Sequence, residues 1–168
     1  DTLVKMGLEG TVEYATSLLN VANAYRIFGY YMKAQSLFER VEVIYREKLL
    51  AGDYRFATLY NNWAFVYQGS GELKKAEETF RRALSVVDMQ QNAWMEQATT
   101  RCNLAQVLLQ LAGGAAMGAN GQRVDGTTAS TMYEEALQCL ERALRIFEWD
   151  GKRDYHYSTA LAAMGDAL

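Results

Sequence analysis

Three asparagines recur at near-equal intervals, Asn20, Asn62 and Asn103, separated by 42 and 41 residues. A threonine stands one helical turn before each of them, at Thr16, Thr58 and Thr99. A primary amide carries two donors and an acceptor. A column of such amides can grip the N–H and C=O groups of an extended or helical peptide without regard to its side chains. Each such bond contributes about 0.5–1.5 kcal/mol net. The same amides could instead bond only to the neighbouring repeat, and residue types alone leave both readings open. Asn23, Arg26, Phe65 and Gln106 fall on the same side. Arg26 is the clearest cation there, and Phe65, Leu19 and Ile27 supply apolar surface on or near it.

Other chemistry finds less support. His156 is the single histidine and precedes the last helical stretch, which suits a surface or capping residue. Cys102 and Cys139 lack a CxxC spacing and a nearby histidine, so buried thiols are expected. A metal centre needs three or four converging ligands, and none is spaced for one. Glu77-Glu78 and Glu134-Glu135 read as solvated helix faces. Gly113 and Gly118 have a phosphate-loop interval, but Ala119-Asn120 follows where Lys-Ser/Thr is required. The chain is therefore not read as an enzyme, and no catalytic residue, cofactor or metal is assigned.

Bulk composition narrows the class. The 168 residues suit one domain, and 50% hydrophobic with 12% aromatic content excludes disorder. Proline is absent, which suits long helices. A net charge of −3 argues against a nucleic-acid surface. No apolar run approaches a membrane span, and the N-terminal stretch has no signal-peptide pattern. Two distant cysteines make no disulfide framework, so a cytoplasmic location is expected.

The elements that position the asparagines repeat with them. Ala15–Tyr25 lies over Ala57–Tyr67 with a shift of 42, and Ala98–Leu108 over it with a shift of 41. The shared small position is Ala22, Ala64, Ala105 and, in the last stretch, Gly165. A second helix repeats as Lys33–Val41, Lys75–Ala83 and Glu135–Ala143. Its small residues are Ala34, Ala76 and Ala136, and its large ones Phe38, Phe80 and Leu140. On a helical wheel Leu18, Val21, Ala22 and Tyr25 form the packing stripe, with Thr16, Asn20 and Asn23 opposite. One helix pair cannot bury its own apolar face, so successive pairs must stack.

These spacings resemble the tetratricopeptide repeat (TPR). The middle unit shows the pattern as Tyr60, Trp63-Ala64, Tyr67, Ala76, Phe80 and Ala83. The third departs from it, with Arg101 where a large apolar residue is usual and Leu108 in place of tyrosine. The long period is similar to that of kinesin light chain-like repeats. The resemblance implies an all-α, right-handed superhelix of antiparallel helix pairs. Its first helices would line a concave groove, and peptide or protein segments would be the ligands. It also implies an Asn in that groove, as kinesin light chain-like repeats carry. The set of Lys and Arg that would make a carboxylate clamp is not found, which argues against a chaperone adaptor.

Taken in order, a partial repeat (1–10) precedes a repeat at 11–53 and another at 54–90. A third, at 91–151, carries a Gly-rich insertion at 112–131, and a partial repeat (154–168) follows. The first helix is expected over about Thr11–Phe28, with Gly29 as its left-handed stop, and Asp53 as an N-cap of the third. Five of the 13 glycines lie in the insertion. A mobile loop is expected there, either tolerated or acting as a lid or partner contact, with helix resuming near Thr131. Both ends fall within helix pairs, so a segment of a longer array is expected. The function expected is a scaffold for a peptide or protein partner, binding neither nucleic acid nor membrane. Two rivals are a regulatory sensor module attached to another domain and a unit that self-associates through its end repeats.

Overall fold

The computed structural model describes residues 7–114, 126–150 and 155–167. These residues form seven helices and no strand: α1 Val12–Ile27, α2 Tyr31–Lys48, α3 Arg55–Gly69, α4 Leu73–Asp88, α5 Trp94–Ala112, α6 Gly126–Asp150 and α7 Tyr155–Ala167. No helix among the described residues is long and apolar enough to cross a membrane.

Local chemistry sets the ends. The Tyr14 backbone N–H donates to Thr11 Oγ1 at 3.2 Å, which caps α1. At its other end Gly29 has φ +77°, and Tyr30 N donates back to Tyr25 O at 2.8 Å. The same closure recurs after α3, where Gly71 has φ +82° and Glu72 N donates to Tyr67 O at 2.8 Å. A residue with a Cβ is strained at such an angle, so glycine is the natural stop. The N-cap of α3 is Tyr54, which makes no side-chain cap bond, and Asp53, the expected cap, lies one residue earlier, where its Oδ1 accepts from Arg55 N at 3.0 Å. One boundary differs. Helix α6 begins at Gly126, ahead of the expected Thr131. The first residues are poor helix formers, but adding a turn to an existing helix is far easier than starting one. Met132 and Ala136 hold that helix against the core. Residues 115–125 of the insertion lie outside the described residues.

Helices pair within each repeat, α1 with α2, α3 with α4 and α5 with α6, and the pairs then stack. Two hydrogen bonds between α3 and α5 show that these first helices run parallel and in register. Asn103 Nδ2 donates to Asn61 Oδ1 at 3.5 Å, and Gln68 Nε2 to Gln110 Oε1 at 3.0 Å, each across 42 residues. Ala22, Ala64 and Ala105 are fully buried, as are Ala34, Ala76 and Ala136. Phe38, Phe80 and Leu140 are also fully buried. The interior splits into two cores. One gathers side chains of α1 and α2 with Phe56, Trp63, Val66 and Ala83 of the second pair. The other joins Ala64 and Phe80 of that pair to α5, α6 and α7. Tyr67 and Leu84 pack against both.

Three expectations need correction. Val21 is 48% exposed, not on the packing stripe. Its counterparts Trp63 and Leu104 pack towards the preceding pair, and no pair precedes α1 among the described residues. Leu19 is buried in the first core, not on the open face. Glu77 is buried, not solvated. Lys74 Nζ lies 3.0 Å from its Oε2, and Arg81 Nη2 donates to its Oε1 at 2.9 Å.

Arg81 also forks onto Glu135 of α6, with Nη1 to Oε1 at 2.5 Å and Nη2 to Oε2 at 2.8 Å. Arg82 of α4 reaches back to Glu42 of α2, which also accepts from Tyr60 Oη at 3.0 Å and Arg46 Nη2 at 2.9 Å. The second helices are thus laced across both junctions. Burial pushes the Glu42 carboxyl up, but its hydrogen bonds to Arg46, Arg82 and Tyr60 outweigh this and hold it below the ordinary range. The Arg81 hydrogen bond lowers Glu135, against a smaller opposing effect of burial. A carboxylate depressed in the folded state stabilises above its unfolded pKa, and that contribution disappears as pH falls through the folded value. Thermal melts should therefore show a Tm that drops from about pH 4.3 downward. The Glu42→Gln/Glu135→Gln double variant should show a shallower drop.

Candidate functional site

The faces of α3 and α5 turned away from the second helices enclose an open concavity of about 580 Å³. Thr58, Asn61, Asn62 and Phe65 line it from α3, and Met95, Glu96, Thr99, Thr100 and Asn103 from α5. His156 of α7 closes one side. Five of the ten residues singled out from the sequence meet here: Thr58, Asn62, Phe65, Thr99 and Asn103. A sixth, Gln106, lines the next concavity, of about 450 Å³, with Gln110, Tyr133 and Thr159. The hollows run along the same wall because α3 and α5 are parallel and α7 packs beside α5.

The remaining four belong to α1. Thr16 Oγ1 donates to Val12 O at 2.9 Å and lies 3.2 Å from Tyr45 Oη of α2, so its hydroxyl serves the seam of its own pair. Asn20 is exposed. Asn23 Oδ1 accepts from Arg26 Nε at 2.8 Å. That bond helps hold the Arg26 guanidinium 5.3 Å from the centre of the Phe65 ring, a cation–π distance. Phe65 in turn meets Phe80 edge to face, with centroids 5.2 Å apart. Burial lowers the Arg26 pKa from its ordinary value, which leaves it a cation at neutral pH.

Asn62 Nδ2 donates to Thr58 O of its own helix at 3.0 Å. Its carbonyl oxygen and second N–H are left for other partners. Asn103 does bond across the junction, but to Asn61 rather than to its counterpart Asn62. Asn61 Nδ2 also donates to Thr100 Oγ1 at 3.0 Å. Sequence reading missed Asn61 and Thr100. The counterparts of Asn61 are Leu19 and Cys102, so no periodic signal marks it. It missed His156 at the rim as well: the sequence reading puts this residue ahead of the last helix, but it lies in the first turn of α7 and faces the hollow.

Arg101 takes the slot held by Tyr60 in the previous repeat, as the sequence indicates, and is buried there. Its Nη2 donates to both carboxylate oxygens of Asp88, at 2.8 and 3.0 Å. It is therefore no part of the open wall. Cys102 is buried and Cys139 half-buried, both as free thiols. Burial, reinforced by Cys139, pushes the Cys102 thiol up to about 12, far from a reactive thiolate.

Residues 55–113 match the tetratricopeptide repeat family model, 59 of the 168 residues. No curated protein matches the sequence. Among solved structures the chain is similar to BtubC (BKLC) from P. vanneervenii, at 19% identity and a TM-score of 0.50. That match covers 91% of this chain and 61% of BtubC, so the chain spans about three fifths of that protein. It is also similar to the nearly identical TPR-like repeats of a Podosopora anserina kinesin light chain candidate. There the identity is 16% and the TM-score 0.45, with 93% of this chain and 86% of the other covered.

Proposed function

We propose that this tetratricopeptide-repeat array holds a peptide or an extended segment of a partner protein against the wall of its first helices. Tetratricopeptide arrays are in general protein–protein interaction modules and typically non-catalytic. The observation that carries the reading here is the hollow between α3 and α5, which sets amides and hydroxyls beside apolar surface. Asn62 and Asn103 sit in it beside Thr58, Thr99 and Phe65. Amides and hydroxyls bond a peptide backbone of any sequence, and the aromatic ring gives an apolar side chain somewhere to rest. Self-association through the end helices is the alternative for the same chain.

The test begins with random twelve-residue peptides displayed on phage and selected on the protein. A selected peptide is then measured by fluorescence anisotropy. Asn62→Ala should weaken it about two- to ten-fold while shifting Tm by no more than about 2 °C, since the amide bonds only its own helix. Selected peptides whose affinity is indifferent to Asn62→Ala and to Asn103→Ala would overturn the reading.

A further inference from the structure

The α3–α5 hollow has a cation, Arg26, and an anion, Glu96, at its opposite ends, and Glu13 stands at the matching place on α1. No salt bridge among the described residues involves Arg26 or Glu96. Glu96 is exposed in the first turn of α5. It lines the main hollow and also a second one of about 410 Å³, bounded by Tyr54, Thr58, Asn61 and Gln90. Arg26 is held over Phe65, at the other end of that hollow, by Asn23 and the ring itself.

The register gives their separation. Ala105 answers to Ala64, so Glu96 stands level with position 55 of α3, ten residues before Phe65. At 1.5 Å per residue that is about 15 Å along the wall, and an extended chain covers it in about four to five residues. Between the two charges α3 and α5 contribute only Asn, Thr, Phe and Met to the lining, with His156 of α7 on one side.

Each charge also complements the dipole of its own helix, Glu96 at an N-terminus and Arg26 at a C-terminus. That alone would account for their presence. The helix ends act on a ligand in the opposite sense, but each carries only about half a charge. The N-terminus of α3 already faces Asp53. Asp53 and Arg55 neutralise each other through a 3.0 Å pair. The net field at that end of the wall is therefore set by Glu96 together with Glu13, its exposed counterpart in the first turn of α1, and both act in the same sense.

We propose that the groove selects segments carrying a basic and an acidic residue about four to five positions apart, the basic one meeting Glu96 and the acidic one meeting Arg26. This rests on the groove reading above. Opposite charges in these two places fix which way round a segment lies, something amide contacts to its backbone cannot do.

The same phage selection tests it. Wild-type protein should enrich peptides with such a charge pair, and Glu96→Gln should weaken them about two- to five-fold. Glu96→Lys should reverse the preference at one end, enriching peptides acidic at both positions, and Arg26→Gln should relax the acidic position only. Melting curves establish that each variant is folded, and Glu96→Gln, which leaves the shape unchanged, covers a failure of Glu96→Lys to fold. Peptides that depend on Asn62 but show no charge pair, or that keep their affinity for Glu96→Lys, would overturn the proposal and leave the groove intact. Peptides that ignore Asn62 would overturn both.

Discussion

Phe80→Ala is expected to cost about 3–5 kcal/mol of folding stability. Phe80 is fully buried on α4, where the second pair meets the third. Its neighbours in that core include Ala64, Ala76 and Ala105, which have no larger rotamer to swing into a void. The site can therefore relax little, and the cost should fall near the upper end. There is a second effect. Phe65 rests edge-on against Phe80 while lining the hollow. With that support gone its ring is free to tilt inward, taking away the surface that carries Arg26. Urea unfolding should show the loss of stability, and a selected peptide should bind the folded variant more weakly. Phe80→Leu should restore most of the stability. An unchanged urea midpoint for Phe80→Ala would mean that the repeat register is wrong.

The second large effect concerns the ion pair that replaces an apolar contact. Arg101 has a side chain only 11% exposed, and Asp88, which it grips with two bonds, is 41% exposed. Asp88→Ala would strand a nearly buried guanidinium with only the Gln97 carbonyl, 3.2 Å from Nη1, as partner. Breaking a fully buried pair costs about 3–5 kcal/mol. Because Asp88 is partly in water, about 2–3 kcal/mol is expected here. Arg101→Leu removes the charge and its desolvation together, and a leucine, Leu18, fills the equivalent slot of the first repeat. That variant should be neutral, or more stable by about 1 kcal/mol. Urea titrations of both variants provide the measurement. A loss above about 2 kcal/mol for Arg101→Leu would show instead that the ion pair contributes net stability.

The repeat was legible because its physics is periodic. Small residues at Ala22, Ala64 and Ala105 mark close helix approach, and Phe38, Phe80 and Leu140 mark the space between layers. Those positions follow from geometry that every pair shares. What was not legible belongs to single copies. Val21 carries the pattern of Trp63 and Leu104 without a described neighbour to cover it. Glu77 looked like part of a solvated face, yet Arg81 bends it into a network that reaches Glu135 on another helix. Asn61 makes two of the bonds between α3 and α5 from a position whose counterparts, Leu19 and Cys102, are not amides. A wheel drawn for one helix shows which side turns away from its partner. It cannot show which amide on that side reaches the next helix, because that depends on the angle between the two.

The division of the interior into two cores, bridged by Tyr67 and Leu84, determines how the molecule responds to force. Tension along the array would pass through every junction at once, so their compliances add as for springs in series. A segment lying across both would feel the spacing of its contacts change as the array extends.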